Sequence, residues 1–316
     1  MSSRARASWG LGAVFLLGGV LVSTSAMAFC RASTCNEGKT TCRKDAKGCV
    51  IDGSPVAWKS STIEYRFHDR GTRVMLLEES RSAVRAAFTR WSDTLCPQGG
   101  RTRLRFVEGK EITVDPPSNE GDPNETRTLN GIFFRDDGWP HRGGSNSLDK
   151  AIATTFRLYG DKSTPGRITS ARLEINTSNQ TFYLPDGAET KGDQANAVDL
   201  ITVVTHEVGH YIGIGHSREK DSIMAEALCQ DPYRCSIGRQ ASRRLAPDDI
   251  AAVCSLYPPG EPDPPPEGSI EGPAADGCAL GPRSVTSSAW PAGFFALGAI
   301  LVFRRRALRG GGVSSR

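Results

Sequence analysis

Residues 206–216 read HEVGHYIGIGH, and this run constrains the chain more than any other. Only five histidines occur in 316 residues, and three of them, His206, His210 and His216, lie here. With about 100° of rotation per residue, Val204, Val208 and Ile212 fall within roughly 60° of Ile201. His206 and His210 fall at about 140° and 180° on the same helical wheel. The spacing predicts a helix over about 196–213 that buries one face and presents two imidazoles, one turn apart, on the other. His216 cannot join them on an unbroken helix, because ten residues at ~1.5 Å carry it about 15 Å past His206. Gly213 and Gly215 supply the break, since glycine accepts the left-handed backbone that ends a helix and reverses the chain.

Three neutral imidazoles gathered on one ion leave a further coordination position for water, the open arrangement of a catalytic zinc centre. Glu207 follows His206 directly and borders the same cleft without facing the ion. A carboxylate there suits a general base that takes a proton from water and returns it to a leaving group. Each histidine alone reads as an ordinary core or surface residue; the three together with Glu207 do not.

HEVGHYIGIGHS resembles the H-E-x-x-H-x-x-G-x-x-H consensus of metzincin zinc endopeptidases, and Ser217 after the third histidine resembles the matrixin branch. The segment Asp221-Ser222-Ile223-Met224 resembles the family's Met-turn, and AFTRWSD at 87–93 and LAPDDIAAVCSLYP at 245–258 are also matrixin-like. The resemblance spans roughly Trp58 to Pro258. It implies an α+β zincin fold, a twisted five-stranded mixed sheet with three helices. The implied cleft lies between the zinc helix and an edge strand placed at Ala171–Asn176, where a protein or peptide substrate would add as an extended strand. It also implies zinc on His206, His210 and His216, Glu207 as catalytic base, and Gly213 and Met224 as structural support. Calcium is a further cation the family allows, and acidic loops stand at Asp136-Asp137 and Asp186, without recognisable ligand spacing. Two departures stand out: there is no PRCGxPD-type cysteine switch, and only His68 and His141 remain for a second, structural zinc.

Around this domain, at 58–257, the chain carries export features. Arg4 and Arg6, an apolar run from Leu11 to Val22 and Ala26-Met27-Ala28 describe a signal peptide over 1–28. Nine cysteines occur. Setting Cys278 aside leaves an even set consistent with four disulfides in an oxidising compartment, and Cys30, Cys35, Cys42 and Cys49 read as a stapled cap within 29–57. Residues 258–277 hold seven Pro and four Gly and read as an extended stalk. Over 278–316, Cys278, an apolar run from Trp290 to Phe303 and Arg304-Arg305-Arg306 resemble the C-terminal sorting tails of myxobacterial surface proteins, implying attachment to a membrane or cell surface; a simple tail anchor is the alternative.

Formal net charge is +4, but the excess sits at the two ends, where 1–28 and 278–316 hold no acid. The body between them is mildly acidic, which gives no electrostatic case for nucleic acid. Two functional readings follow. One is an exported zinc endopeptidase, surface-held or shed. The other is a non-catalytic surface binding module that zinc merely staples. An enzyme hydrolysing a non-protein amide shares the first reading's site.

Elsewhere, Ile63, Tyr65 and Phe67 alternate, as do Leu104 and Phe106, Ile152, Phe156 and Leu158, and Leu173 and Ile175, predicting strands. Val84, Ala87, Phe88 and Trp91 predict a helix over 78–93, and Pro247 with Asp248 and Asp249 opens another over 247–257.

Overall fold

The computed structural model describes residues 29–35, 40–116, 129–141, 151–160, 163–184, 197–225 and 244–266. The predicted signal peptide and sorting tail, most of the stalk, Asp186, and Cys229, Cys235 and Cys278 lie outside them.

In chain order the elements are β1 (Phe29–Arg31), β2 (Ala57–Trp58), β3 (Thr62–Phe67), α1 (Leu77–Ser92), β4 (Arg105–Glu108), β5 (Gly131–Phe134), β6 (Ala153–Tyr159), β7 (Arg167–Ile175), β8 (Phe182–Tyr183), β9 (Val198–Asp199), α2 (Leu200–Tyr211), β10 (Ile214–Ser217) and α3 (Pro247–Leu256). The fold is α+β. Its main sheet runs β2-β7-β5-β3-β4, parallel throughout, with β6 added antiparallel to β7. The count is six rather than five because the two-residue β2 joins the parallel strands.

The edge strand beside α2 is β6, not Ala171–Asn176. That segment is interior, because β7 pairs with β5 on one side and β6 on the other. Leu173 and Ile175 lie on a strand as their alternation predicts, and the charged residues beside them, Arg172 and Glu174, are buried too. Their charges are matched inside the protein. Glu174 has a fully buried side chain and accepts from Arg135 Nε at 2.6 Å, Arg172 Nε at 2.7 Å and His141 Nε2 at 3.0 Å.

Burial alone would push Glu174 up. The hydrogen bonds from His141 and Arg135, with the charge of Arg135, override it and hold the carboxyl at about 2, against an ordinary 4.5. A depressed folded value stabilises the protein above the unfolded pKa and is lost as pH falls through the folded one. Stability should therefore decline between about pH 4.5 and 2 by on the order of 3 kcal/mol from this group. Circular dichroism titrations should show Glu174→Gln less stable at neutral pH and less sensitive to acid over that window; an unchanged acid midpoint refutes the assignment.

The face of α1 predicted from periodicity is the buried one: Val84, Ala87, Phe88 and Trp91 are all within 1% of full burial. Phe88 stacks on Tyr65 at 4.2 Å and meets Tyr211 of α2 edge-on at 5.7 Å. Trp91 Nε1 donates to the Thr205 carbonyl at 2.8 Å, pinning α1 to α2. The Cys96–Cys254 disulfide ties the exit of α1 to α3 across 158 residues. Cys30–Cys49 and Cys35–Cys42 staple the N-terminal cap, so three of the four expected bridges lie among the described residues.

The first residues of the proline-rich segment lie against the domain. Asp263 Oδ2 accepts from Ser61 N at 2.7 Å, and Thr62 Oγ1 donates to the Asp263 carbonyl. No helix among the described residues is long and apolar enough to cross a membrane.

Candidate metal centre

Helix α2 starts where Asp199 accepts from Ile201 N at 3.0 Å, with Thr202 Oγ1 on its second oxygen. Val204, Val208 and Ile212 are fully buried, as the wheel predicts. The helix ends at Tyr211, and Gly213 reverses the chain with φ 99°. Gly213 is needed twice over, since a Cβ there would also lie 2.2 Å from the Val56 carbonyl oxygen. Tyr257 Oη donates to the Ile212 carbonyl at 2.9 Å, and Trp58 Nε1 to that of Tyr211 at 2.8 Å. Both occupy carbonyls the helix end leaves open.

Beyond the reversal, β10 brings His216 back. The ring centroids of His206 and His210 are 4.7 Å apart, those of His206 and His216 5.4 Å, and those of His210 and His216 4.8 Å. One ligand nitrogen from each imidazole lies within 4.8 Å of the others, the one such group among the described residues. Nε2 of His210 and Nε2 of His216 are 3.1 Å apart.

The chemistry of this donor set fits zinc. His206 Nδ1 lies 2.7 Å from the Ile223 carbonyl oxygen and His210 Nδ1 2.9 Å from that of Ile214. A carbonyl only accepts, so both Nδ1 atoms carry the proton and both Nε2 atoms offer a lone pair. Burial pushes His206 down to about 4 and His210 well below its ordinary value, which keeps the rings neutral as ligation requires.

Three surrounding pieces hold the ligands, and only one was legible. Met224 is fully buried, and its Sδ occupies the space a Cβ on Gly209 would need, 2.2 Å away. Asp249 of α3 organises this turn. Its Oδ2 accepts from Ile223 N at 2.9 Å and Ala246 N at 2.7 Å, and its Oδ1 from Ser222 Oγ. Asp249 thus fixes the carbonyl that orients His206. In sequence it read as a helix N-terminal acid and no more. The third piece is the cap. Strand β1 pairs antiparallel with β10, Phe29 opposite Ser217 and Arg31 opposite Ile214. Asp248 joins the two, accepting from Phe29 N at 2.9 Å and Ser217 Oγ at 2.6 Å.

Glu207 is buried on the cleft side of α2, 6% exposed. Burial pushes its carboxyl up to about 7, against a hydrogen bond from Thr155 and the charge of Arg157, which pull it down. Both belong to β6: Thr155 Oγ1 lies 2.7 Å from Glu207 Oε2, and Arg157 Nη1 donates to the His210 carbonyl at 2.8 Å.

The two remaining histidines take no part. His141 serves Glu174, and His68 packs near Phe133 with its Nδ1 3.1 Å from Asp69. The acidic pair proposed for calcium is engaged by the chain itself. Asp136 accepts from Thr72, Thr177 and Arg73, and Asp137 pairs with Arg73. Most of the segment between Ala225 and Arg244, expected to wall the substrate pocket, lies outside the described residues.

The chain is similar in sequence to several metalloproteinases. Metalloendoproteinase 1-MMP of Arabidopsis thaliana is 27% identical over 210 residues, 66% of this chain and 46% of its own length. Karilysin of Tannerella forsythia is 27% identical over 208 residues, 66% of this chain and 34% of its own. Matrix metalloproteinase-C of Caenorhabditis elegans is 31% identical over 216 residues, 67% and 32%. The chain thus spans less than half the length of these relatives. The sequence profile described as "Matrixin" matches residues 57–258, more than half the chain and all three helices, and the chain belongs to the matrixin family.

Proposed function

We propose that the protein is an exported zinc endopeptidase whose centre is His206, His210 and His216, with Glu207 as general base. The observation that carries this is the convergence of three imidazole nitrogens within 4.8 Å beside a buried carboxylate. The three histidines would hold zinc, which would supply Lewis acidity toward a water and a carbonyl. The rest is done by the chain. Glu207 accepts the water's proton and delivers it to the leaving amine, and a carboxyl poised near neutrality suits both halves of that transfer. Strand β6, paired on one side to β7, offers its other edge to an extended peptide. Burial of Glu207 between its own helix and β6 keeps bulk water from competing for the carboxylate.

A peptide-library digest tests the reading: cleavage that a chelator abolishes and added zinc restores is the expected result. A folded, zinc-loaded protein that cleaves nothing in the library leaves the stapled surface module as the better reading. The three disulfides support export, since such bridges persist in oxidising compartments. Attachment through the tail at Cys278 is read by the mass of the exported protein; a C-terminus that still carries Arg304–Arg306 refutes processing there.

A further inference from the structure

We propose that Thr155 is the positioning residue for Glu207: its hydroxyl pins one carboxylate oxygen to the edge strand and leaves the other for the proton in flight. The proposal rests on Glu207 acting as the base.

The Thr155 hydroxyl has a single proton and two acceptors within reach, both on Glu207: Oε2 at 2.7 Å and the backbone carbonyl at 3.0 Å. The carboxylate oxygen is the nearer and the better acceptor, so it takes the proton. This is the one side-chain hydrogen bond to Glu207 among the described residues. A glutamate side chain has three rotatable bonds, and burial without a partner leaves its terminal torsion broad. One short bond to Oε2 fixes that torsion, and with it the direction of Oε1.

Threonine suits the task. A β-branched residue on a strand has a stiff χ1, so the strand backbone fixes the hydroxyl's place. Side chains two apart on a strand share a face, so Arg157 projects with Thr155 toward α2. It reaches the carbonyl of His210, one turn past Glu207. Strand β6 therefore grips α2 at two points, one at the base and one at the second metal ligand. An edge strand that also receives the substrate is a suitable place to hold the base, because carboxylate and scissile bond are then referred to the same backbone.

A purely structural threonine would leave catalysis intact when replaced by a residue of the same shape. The test uses zinc-loaded full chains of Thr155→Val, Thr155→Ser and Glu207→Ala. It measures kcat and KM on a peptide from the digest, zinc per chain, melting temperature, and the Glu207 carboxylate in crystal structures. Thr155→Val should lower kcat about 10–100-fold with KM within about two-fold, because misplacement of a catalytic group by an ångström costs about that much. Its zinc content should match wild type, and its carboxylate should be rotated or spread over several positions. Thr155→Ser should recover kcat to within a few-fold. Valine turnover within two-fold of wild type, or serine no better than valine, overturns the proposal. Should valine fail to fold, Thr155→Ala takes its place in the comparison with serine. If Glu207→Ala turns over like wild type, the general-base reading falls instead; an unmoved carboxylate in Thr155→Val then overturns the positioning role independently.

Discussion

Glu207→Ala should keep one zinc per chain and lose hydrolysis by about 10²–10⁴-fold, the range that a positioned acid–base group contributes. The two effects separate because Glu207 is not among the converging nitrogens. Its removal leaves both Nδ1–carbonyl contacts that orient His206 and His210. The substitution should not unfold the domain. A carboxylate 6% exposed is a burden to stability unless it is well paired, and Thr155 and the charge of Arg157 offset only part of the cost of burying it. A melting temperature equal to or above wild type is therefore expected. Metal content by atomic absorption, thermal melts and turnover on one preparation decide the matter. Turnover within a few-fold of wild type would remove Glu207 from the mechanism, and loss of zinc would recast it as a support of the centre.

Why this centre could be found in the sequence, and its supports could not, follows from the range of the interactions. The three helices were legible because an apolar face repeats within a few residues. Val84, Ala87, Phe88 and Trp91 mark α1, and Val204, Val208 and Ile212 mark α2, all buried as the period requires. The histidines were legible because two lie one turn apart and a glycine reversal returns the third. What joins distant segments left no local trace. Asp249 reaches the Met-turn 26 residues away, and Thr155 reaches Glu207 across 52. Neither distance is written in a period. The edge was placed at Ala171–Asn176, and nothing local says that β6 will pair beyond β7 or that Arg135, Arg172 and His141 will gather on Glu174 inside. The cysteine-rich segment read as a cap, but not as a strand partner of the metal loop.

That partnership sets the second large effect. His216→Ala should lose both zinc and activity, because two imidazoles from one helix face leave a centre with too few protein ligands to hold the ion. Unlike its partners, His216 does not sit on α2. It sits on β10, a four-residue strand laddered to β1. Cys30 and Gly215 face each other closely, a Cβ on Gly215 falling 3.1 Å from the Cys30 carbonyl oxygen, and Ala32 N donates to the Gly213 carbonyl at 3.0 Å. Cys30–Cys49 ties β1 to the rest of the cap. Cys30→Ser/Cys49→Ser should therefore keep all three ligands and still bind zinc about 10–100-fold more weakly, the usual cost of losing the groups that orient a ligand. Competition against a chelator of known affinity measures this without substrate. Zinc affinity equal to wild type in the double serine variant, with a lowered melting temperature, would make the cap a support of the fold alone. Retention of zinc by His216→Ala would remove the third imidazole from the centre altogether.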